Sequence, residues 1–269
     1  MEDYLKKLQK TEIDILKEID RVCEKLNINY VIISGTLLGA IRHQGFIPWD
    51  DDIDIGMIRH DFNIFLREGQ KYLPSNLFIQ HYTTEKNDNK IYIKVRNINT
   101  EFIEKDTENE EICHGIFVDI FPFDKSKKGK WNEKIEFYKR KKFNMLVQCY
   151  SRNTIQTIIH PIKRKLAEFI NKSYCKLIPI RKVLEKEEKR RIRLDGRGDD
   201  CYLLNQFSWN GTVTEKELFD KKKYKFDGEY FWGPVNYDSI LRKYYGEYMI
   251  IPSPDKQITH KPLLIKFED

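Results

Sequence analysis

Short β-branched runs alternate with helical periodicity through the first 125 residues, and a long basic stretch of helical pattern follows. Those two observations predict an α/β (α+β) fold, with a mixed-sheet core and a largely helical additional region. The 269 residues suffice for one large α/β domain, or for a core with a smaller companion. A composition 40% hydrophobic and 13% aromatic can fill a core, while 33% charged residues give a heavily solvated surface.

Residues 3–26 carry Leu5, Leu8, Ile15, Ile19, Val22 and Leu26 at three-to-four spacing, the mark of an amphipathic helix. Asn27-Ile28-Asn29 ends it, because Asn tolerates the left-handed conformation. Tyr30 to Ser34 (YVIIS) is a short buried strand bounded by Gly35. Thr36 to His43 is helical, stopped by Gly45 and Pro48, and Asp52 to Met57 alternates polar and apolar as a strand does. A helix over 59–72 precedes strands at 77–82, 90–96 and 115–121. Lys127 to about Arg193 reads as helices broken near Pro161 and Pro179, and the turn-rich DGRGDD near 194–206 closes that region. The last 60 or so residues, rich in Tyr, Trp, Gly and Pro, predict short strands, loops and a helix near 236–245. No internal repeat interrupts this order, and the domain boundary is expected near residue 125.

The five cysteines (Cys23, Cys113, Cys149, Cys175, Cys201) are widely spaced and contain no C-x-x-C pair, so free thiols are expected. No run approaches the roughly 18 apolar residues of a spanning helix, and the charged N-terminus lacks the pattern of a targeting peptide. A cytoplasmic location is therefore expected. The net charge of +6 is uneven: residues 125–200 hold 23 Lys and Arg against 9 Asp and Glu. Such a segment suits nucleic acid, an anionic membrane face or a phosphorylated substrate, or is simply the solvated face of helices.

The sharpest feature is SGTLLGAIRHQGFIPWDDDIDIG, from Ser34 to Gly56. Asp52 and Asp54, two apart on a strand, project from the same face and can converge on one hard cation. Asp119, in the apolar run GIFVDIFPFD, needs a partner for its charge, and that cation is the candidate. Ser34, Gly35 and Thr36 stand where a strand turns into a helix, a place that offers backbone N–H groups to phosphate. An EF-hand reading of Asp50, Asp52 and Asp54 fails, because Ile55 stands where Gly is required and Asp61 where Glu is usual. A sugar-nucleotide glycosyltransferase also uses D-x-D, without needing the upstream turn. None of His43, His60, His81, His114 and His160 shows ligand spacing, and His260 is a minor candidate near the C-terminus.

The strand, Ser-Gly turn, helix, D-x-D and third Asp resemble the nucleotidyltransferase fold shared with DNA polymerase beta. GTLLGAIRHQGFIPWDDDID, KVRNINT, GIFVDIFPFD and NYDSILRKYYGEYM together resemble the LicD family, whose members include bacterial phosphocholine transferases related to fukutin-related ribitol-phosphate transferases. The matching blocks run from about residue 30 to 260, with little to match over 125–230 and no segment resembling a zinc-binding insert. The resemblance implies a catalytic core over 1–125, with 126–269 supplying a helical basic region and an aromatic-rich segment that completes the active site.

It also implies the chemistry: CDP-choline, or a similar CDP-alcohol, gives its phospho group to a hydroxyl of a lipid-linked glycan precursor, and CMP leaves. Two Mg2+ (or Mn2+) ions would be held by Asp52, Asp54 and Asp119, with Asp119 assisting removal of the hydroxyl proton. Ser34, Gly35 and Thr36 would cradle phosphate, with Arg42, Lys94 and Arg96 as charge clamps. A choline headgroup would lie against aromatic faces, with Trp209, Tyr230, Phe231, Trp232, Tyr237, Tyr244, Tyr245 and Tyr248 in range. The basic segment, including KRK at 163–165 and KRRIR at 189–193, would touch an anionic membrane at its inner face; nucleic acid is not the expected partner. The competing classes are a nucleotidyltransferase that consumes an NTP and a non-enzymatic metal-binding glycan module.

Overall fold

The computed structural model describes residues 2–105, 107–152, 161–197, 199–203, 211–257, 259 and 262–268. Trp209, His160 and His260 lie outside them, as does the side chain of Lys163. In chain order the helices are α1 (Glu2–Leu26), α2 (Ser34–His43), α3 (Arg59–Glu68), α4 (Lys130–Arg152), α5 (Pro161–Leu177), α6 (Ile180–Asp195), α7 (Glu215–Phe219) and α8 (Tyr237–Tyr245). The strands of the first half are β1 (Val31–Ile32), β2 (Asp54–Ile58), β3 (Leu77–Gln80), β4 (Ile93–Asn97), β5 (Glu101–Ile103), β6 (Ile116–Phe123) and β7 (Lys125–Ser126). The later ones are β8 (Asp199–Leu203), β9 (Thr212–Val213), β10 (Lys221–Phe226), β11 (Glu229–Pro234) and β12 (Leu264–Lys266).

The architecture is mixed α/β. A five-stranded sheet runs β1-β2-β6-β4-β3, with β2 and β6 parallel and the other neighbours antiparallel. The two central strands, covered on both faces, read as almost unbroken apolar runs for that reason. α1 buries Leu8, Ile15, Leu16, Ile19 and Val22 and lies against β6 and β4. Phe226, Phe231, Ile240, Leu241 and Tyr248 belong to the same core, so the C-terminal segment returns to the sheet.

Element types match the sequence reading in the first half, and the boundaries move by a few residues. α2 begins at Ser34, and β2 begins at Asp54, leaving Asp52 in the loop before it. The helix expected over 59–72 ends at Glu68 and tightens into a 3₁₀ turn at Gly69–Lys71. β10 and β11 form a hairpin about Asp227-Gly228, both at positive φ (45° and 90°), the backbone a two-residue turn with matching twist requires. The Asp227 carboxylate accepts from Phe46 N at 3.1 Å, which docks the turn on the loop after α2. The five cysteines are free thiols.

The helical region is fastened to the sheet by buried ions. Arg59, the first residue of α3, donates to Asp124 at 2.6 and 3.0 Å, and both are essentially inaccessible. Arg191 of α6 reaches Asp124 at 3.5 Å, and Arg140 of α4 donates to its carbonyl at 3.2 Å. Arg190 bridges Glu136 and Glu187, which joins α4 to α6. None of the described helices is long and apolar enough to cross a membrane.

Candidate active site

The sheet's register assembles an acidic centre. Asp54 on β2 stands opposite Asp119 on β6, and Lys94 on β4 stands opposite Asp119 from the other side. Asp119 N donates to Ile53 O at 2.9 Å, so the loop carrying Asp52 stays in line with β6. Thr36 Oγ accepts from Asp54 N at 2.8 Å, and Ile33 N donates to Asp54 O at 3.1 Å, which locks the start of β2 to the start of α2.

Upstream, Asp50, Asp51 and Asp52 bring carboxylate oxygens within 4.8 Å of one another. Among the described residues this is the group of carboxylates close enough to share one ion. The three acids singled out from the sequence are thus split: Asp52 sits in the loop trio, while Asp54 and Asp119 face each other across β2 and β6. Asp50 and Asp51 stand as close to the centre of that trio as Asp52 does.

The local field is strongly negative. Burial, then Asp52, Asp119 and Asp50, push the Asp54 carboxyl well above the usual carboxylate range, with Lys94 opposing. Burial also raises Asp119, against the pull of Lys94, whose Nζ lies 3.1 Å away. The Lys94 ammonium rests over the Phe117 ring at 3.2 Å from the centroid. A sixth acid, Glu12 of α1, is 1% exposed, and its Oε2 has no hydrogen-bond partner. Burial and then Asp52, Asp51, Asp50 and Asp119 drive its carboxyl far up. A buried carboxylate with an unpartnered oxygen among four aspartates is what hard divalent cations relieve, so the donor set fits the implied magnesium.

The turn before α2 behaves differently from a bare phosphate cradle. Ser34 holds φ at +50°, a left-handed conformation uncommon outside Gly, Asn and Asp. A Cβ on Gly35 would stand 2.6 Å from Asp50 Oδ2, so the close approach that glycine permits is used by the Asp50 carboxylate. The C-terminal segment closes this side. Tyr244 of α8 hydrogen-bonds the Ser34 side chain, and its ring stacks with Tyr245 at 5.7 Å. Burial raises both phenols, and among the charges acting on each is Asp54. Of the aromatics considered for choline, these two stand in the field of the acidic centre. Trp232 instead covers Lys221 and Lys223, near the C-terminal end of α1.

The three cations are placed unequally. Lys94 faces the acids directly. Arg42 donates to the Tyr248 carbonyl at 2.7 Å, tying α2 to the residues after α8. Arg96 is fully buried, donating to Gln80 at 2.5 Å and to the Gly115 carbonyl at 2.6 Å. Those bonds hold the sheet together, and a substrate phosphate would have to displace them.

Residues 27–152 match a family model described as LicD/FKTN/FKRP, nucleotidyltransferase domain. The chain is 28% identical over 275 residues to the lipopolysaccharide cholinephosphotransferase LicD of Haemophilus influenzae, covering 95% of each chain. A stretch of 40 residues is 45% identical to human ribitol 5-phosphate transferase FKRP, covering 15% of this chain and 8% of that one. An uncharacterised protein of Rickettsia typhi is 36% identical over 113 residues, 42% of this chain and 28% of that one. The protein is a phosphotransferase enzyme. Over residues 27–152 the chain is similar to the LicD family.

Proposed function

We propose that this enzyme transfers phosphocholine from CDP-choline to a sugar hydroxyl of a cell-surface glycan precursor, of teichoic acid or lipopolysaccharide type, and releases CMP. The observation that carries the reading is likeness to a cholinephosphotransferase along 95% of the chain, combined with an acidic centre built on neighbouring strands. The five-stranded sheet is proposed as a nucleotidyltransferase-like catalytic core within residues 1–125, with 126–269 completing the site through α8.

The hydroxyl oxygen attacks the choline-bearing phosphorus, the bond to the CMP phosphate oxygen breaks, and the hydroxyl proton goes to the protein. Asp119 is the proposed acceptor of that proton, since burial already raises its affinity for one. Asp52 and Asp54, with Asp119, are the proposed holders of two Mg2+ or Mn2+ ions. Those ions would neutralise the donor diphosphate and the charge that develops on departing CMP. Lys94 restrains the charge and position of Asp119, and the α2 turn with Arg42 positions the nucleotide end of the donor. The short likeness to a ribitol 5-phosphate transferase favours CDP-ribitol as the second donor to try.

The acceptor is proposed to be lipid-linked and met at the inner face of the membrane. On α4, Trp131 (82% exposed), Ile135 and Tyr138 share one outward face, flanked by exposed Lys127, Lys128, Lys130, Lys139 and Lys142. Apolar rings within a ring of cations suit an anionic bilayer surface.

The deciding assay is CMP release from CDP-choline, CDP-ribitol and CDP-glycerol with Mg2+. Release from one donor, lowered at least ~100-fold by Asp52→Asn and by Asp119→Asn, is the expected result. Pyrophosphate release from an NTP, with no CMP from any CDP-alcohol, would replace this reading with nucleotide transfer.

A further inference from the structure

The N-terminal helix lies wholly outside the segment that matches the family model, yet it reaches the acidic centre. Gln9 Nε2 donates to the Asp50 carbonyl at 2.9 Å. Glu12, three residues on, lies on the same helical face and is buried. Its carboxylate is 99% sequestered from solvent, and Oε2 finds no donor. The strongest charges acting on it are four aspartates. A buried carboxylate set among aspartates costs several kcal/mol. Its position four residues after Leu8 and three before Ile15 is a core position, where an apolar side chain would pack at no such cost.

We propose that Glu12 is a ligand of a hard divalent cation, Mg2+ or Mn2+, shared with Asp50, Asp51 and Asp52. The inference rests on the metal-dependent reading above and adds a ligand from outside the strand-borne acids. It makes α1 part of the catalytic machinery, with Gln9 fixing the loop that presents the trio. A donor from the helix would add a direction of approach that the loop trio lacks, and octahedral coordination calls for such spread.

The test is binding of Mn2+ and Mg2+ to the full chain by titration calorimetry, with melting temperature measured in parallel and no CDP-alcohol present. Wild type should bind the ion and gain melting temperature with it. Glu12→Gln should fold and melt close to wild type without metal, because Gln has nearly the same shape and brings no charge among the aspartates. It should bind Mn2+ ~10–100-fold more weakly, or bind one ion fewer, and lose most of the metal-induced rise. Wild-type affinity, stoichiometry and melting shift in Glu12→Gln would remove Glu12 from the ligand set and leave the strand acids untouched. No ion bound by wild type would overturn this inference and the metal-dependent reading together. Should Glu12→Gln not fold, Glu12→Asp decides: weakened Mn2+ affinity supports the assignment, and unchanged affinity removes it.

Discussion

Asp124 and His81, both under the influence of Arg59, make the fold sensitive to acid. Burial alone would raise the Asp124 carboxyl, but Arg59, Arg191 and Arg140 outweigh it and hold the group down to about 2. Its stabilising contribution is therefore complete above the unfolded carboxylate range and is lost as pH falls from about 4 towards 2. His81 is buried beside Arg59, and burial first, then that charge, lowers its ring to about 3. The unfolded chain binds a proton below about 6.5 that the folded chain refuses, so stability falls as pH drops from 6.5 towards 3. Denaturant titrations of wild type should lose up to ~1.4 kcal/mol per pH unit between pH 6 and 4 from this group. His81→Asn should flatten that slope, and an unchanged slope would place the acid sensitivity elsewhere. Asp124→Asn removes the partner of a buried arginine and should cost ~3–5 kcal/mol at neutral pH. Gly35→Ala tests the close approach of Asp50: the first turn of a helix accepts Ala, so melting should change little, while Mn2+ affinity drops ~10-fold.

At the scale of elements, α8 and α4 carry separable jobs. The stacked Tyr244 and Tyr245 bring aromatic faces to the acidic centre, and Tyr245 keeps 44% of its surface exposed. A quaternary ammonium against such a face gains ~0.5–2 kcal/mol. Tyr245→Ala should therefore raise KM for CDP-choline about 3–30-fold, with little change in CMP release from CDP-glycerol. Equal loss for both donors would make the residue a wall of the site with no role in headgroup choice. On α4, replacing Trp131 and Tyr138 with Glu should abolish flotation with anionic liposomes while leaving CMP release from soluble donor intact. Wild type that fails to float at low salt would remove the membrane contact. α2 has a structural constraint of its own: a Cβ on Gly39 would meet the Gly45 carbonyl at 2.4 Å, and backbone cannot move aside as a side chain can.

For the whole molecule, periodicity revealed the types of element, and boundaries followed hydrogen bonds that a one-dimensional pattern does not contain. β2 begins at Asp54 rather than Asp52 because Thr36 and Ile33, far back in the chain, pair with Asp54 first. The D-x-D and Asp119 were legible because carboxylates in apolar runs are expensive, but their division between loop and strands depends on register. Glu12 went unread although a signal existed: Leu8, Glu12, Ile15 and Ile19 fall on one stripe, so a charge interrupts the apolar face. The Asp227-Gly228 turn carried a hairpin signal that a coarse reading of the C-terminal segment passed over. Arg59, Asp124 and Arg191 look like ordinary surface charges in sequence, since only the folded chain brings them together.

The ladder between β2 and β6 has one more property. Its rungs run from Asp54 opposite Asp119 to Ile58 opposite Phe123, and the next step along it is the Arg59–Asp124 pair. A slip by a single residue would turn side chains to the wrong face, separate the two acids and strand an arginine and an aspartate in the interior at the same time. The strand pairing thus carries its own checksum: a chain that closes the ion pair has also aligned Asp54 with Asp119, and misaligned copies are rejected by their own burial.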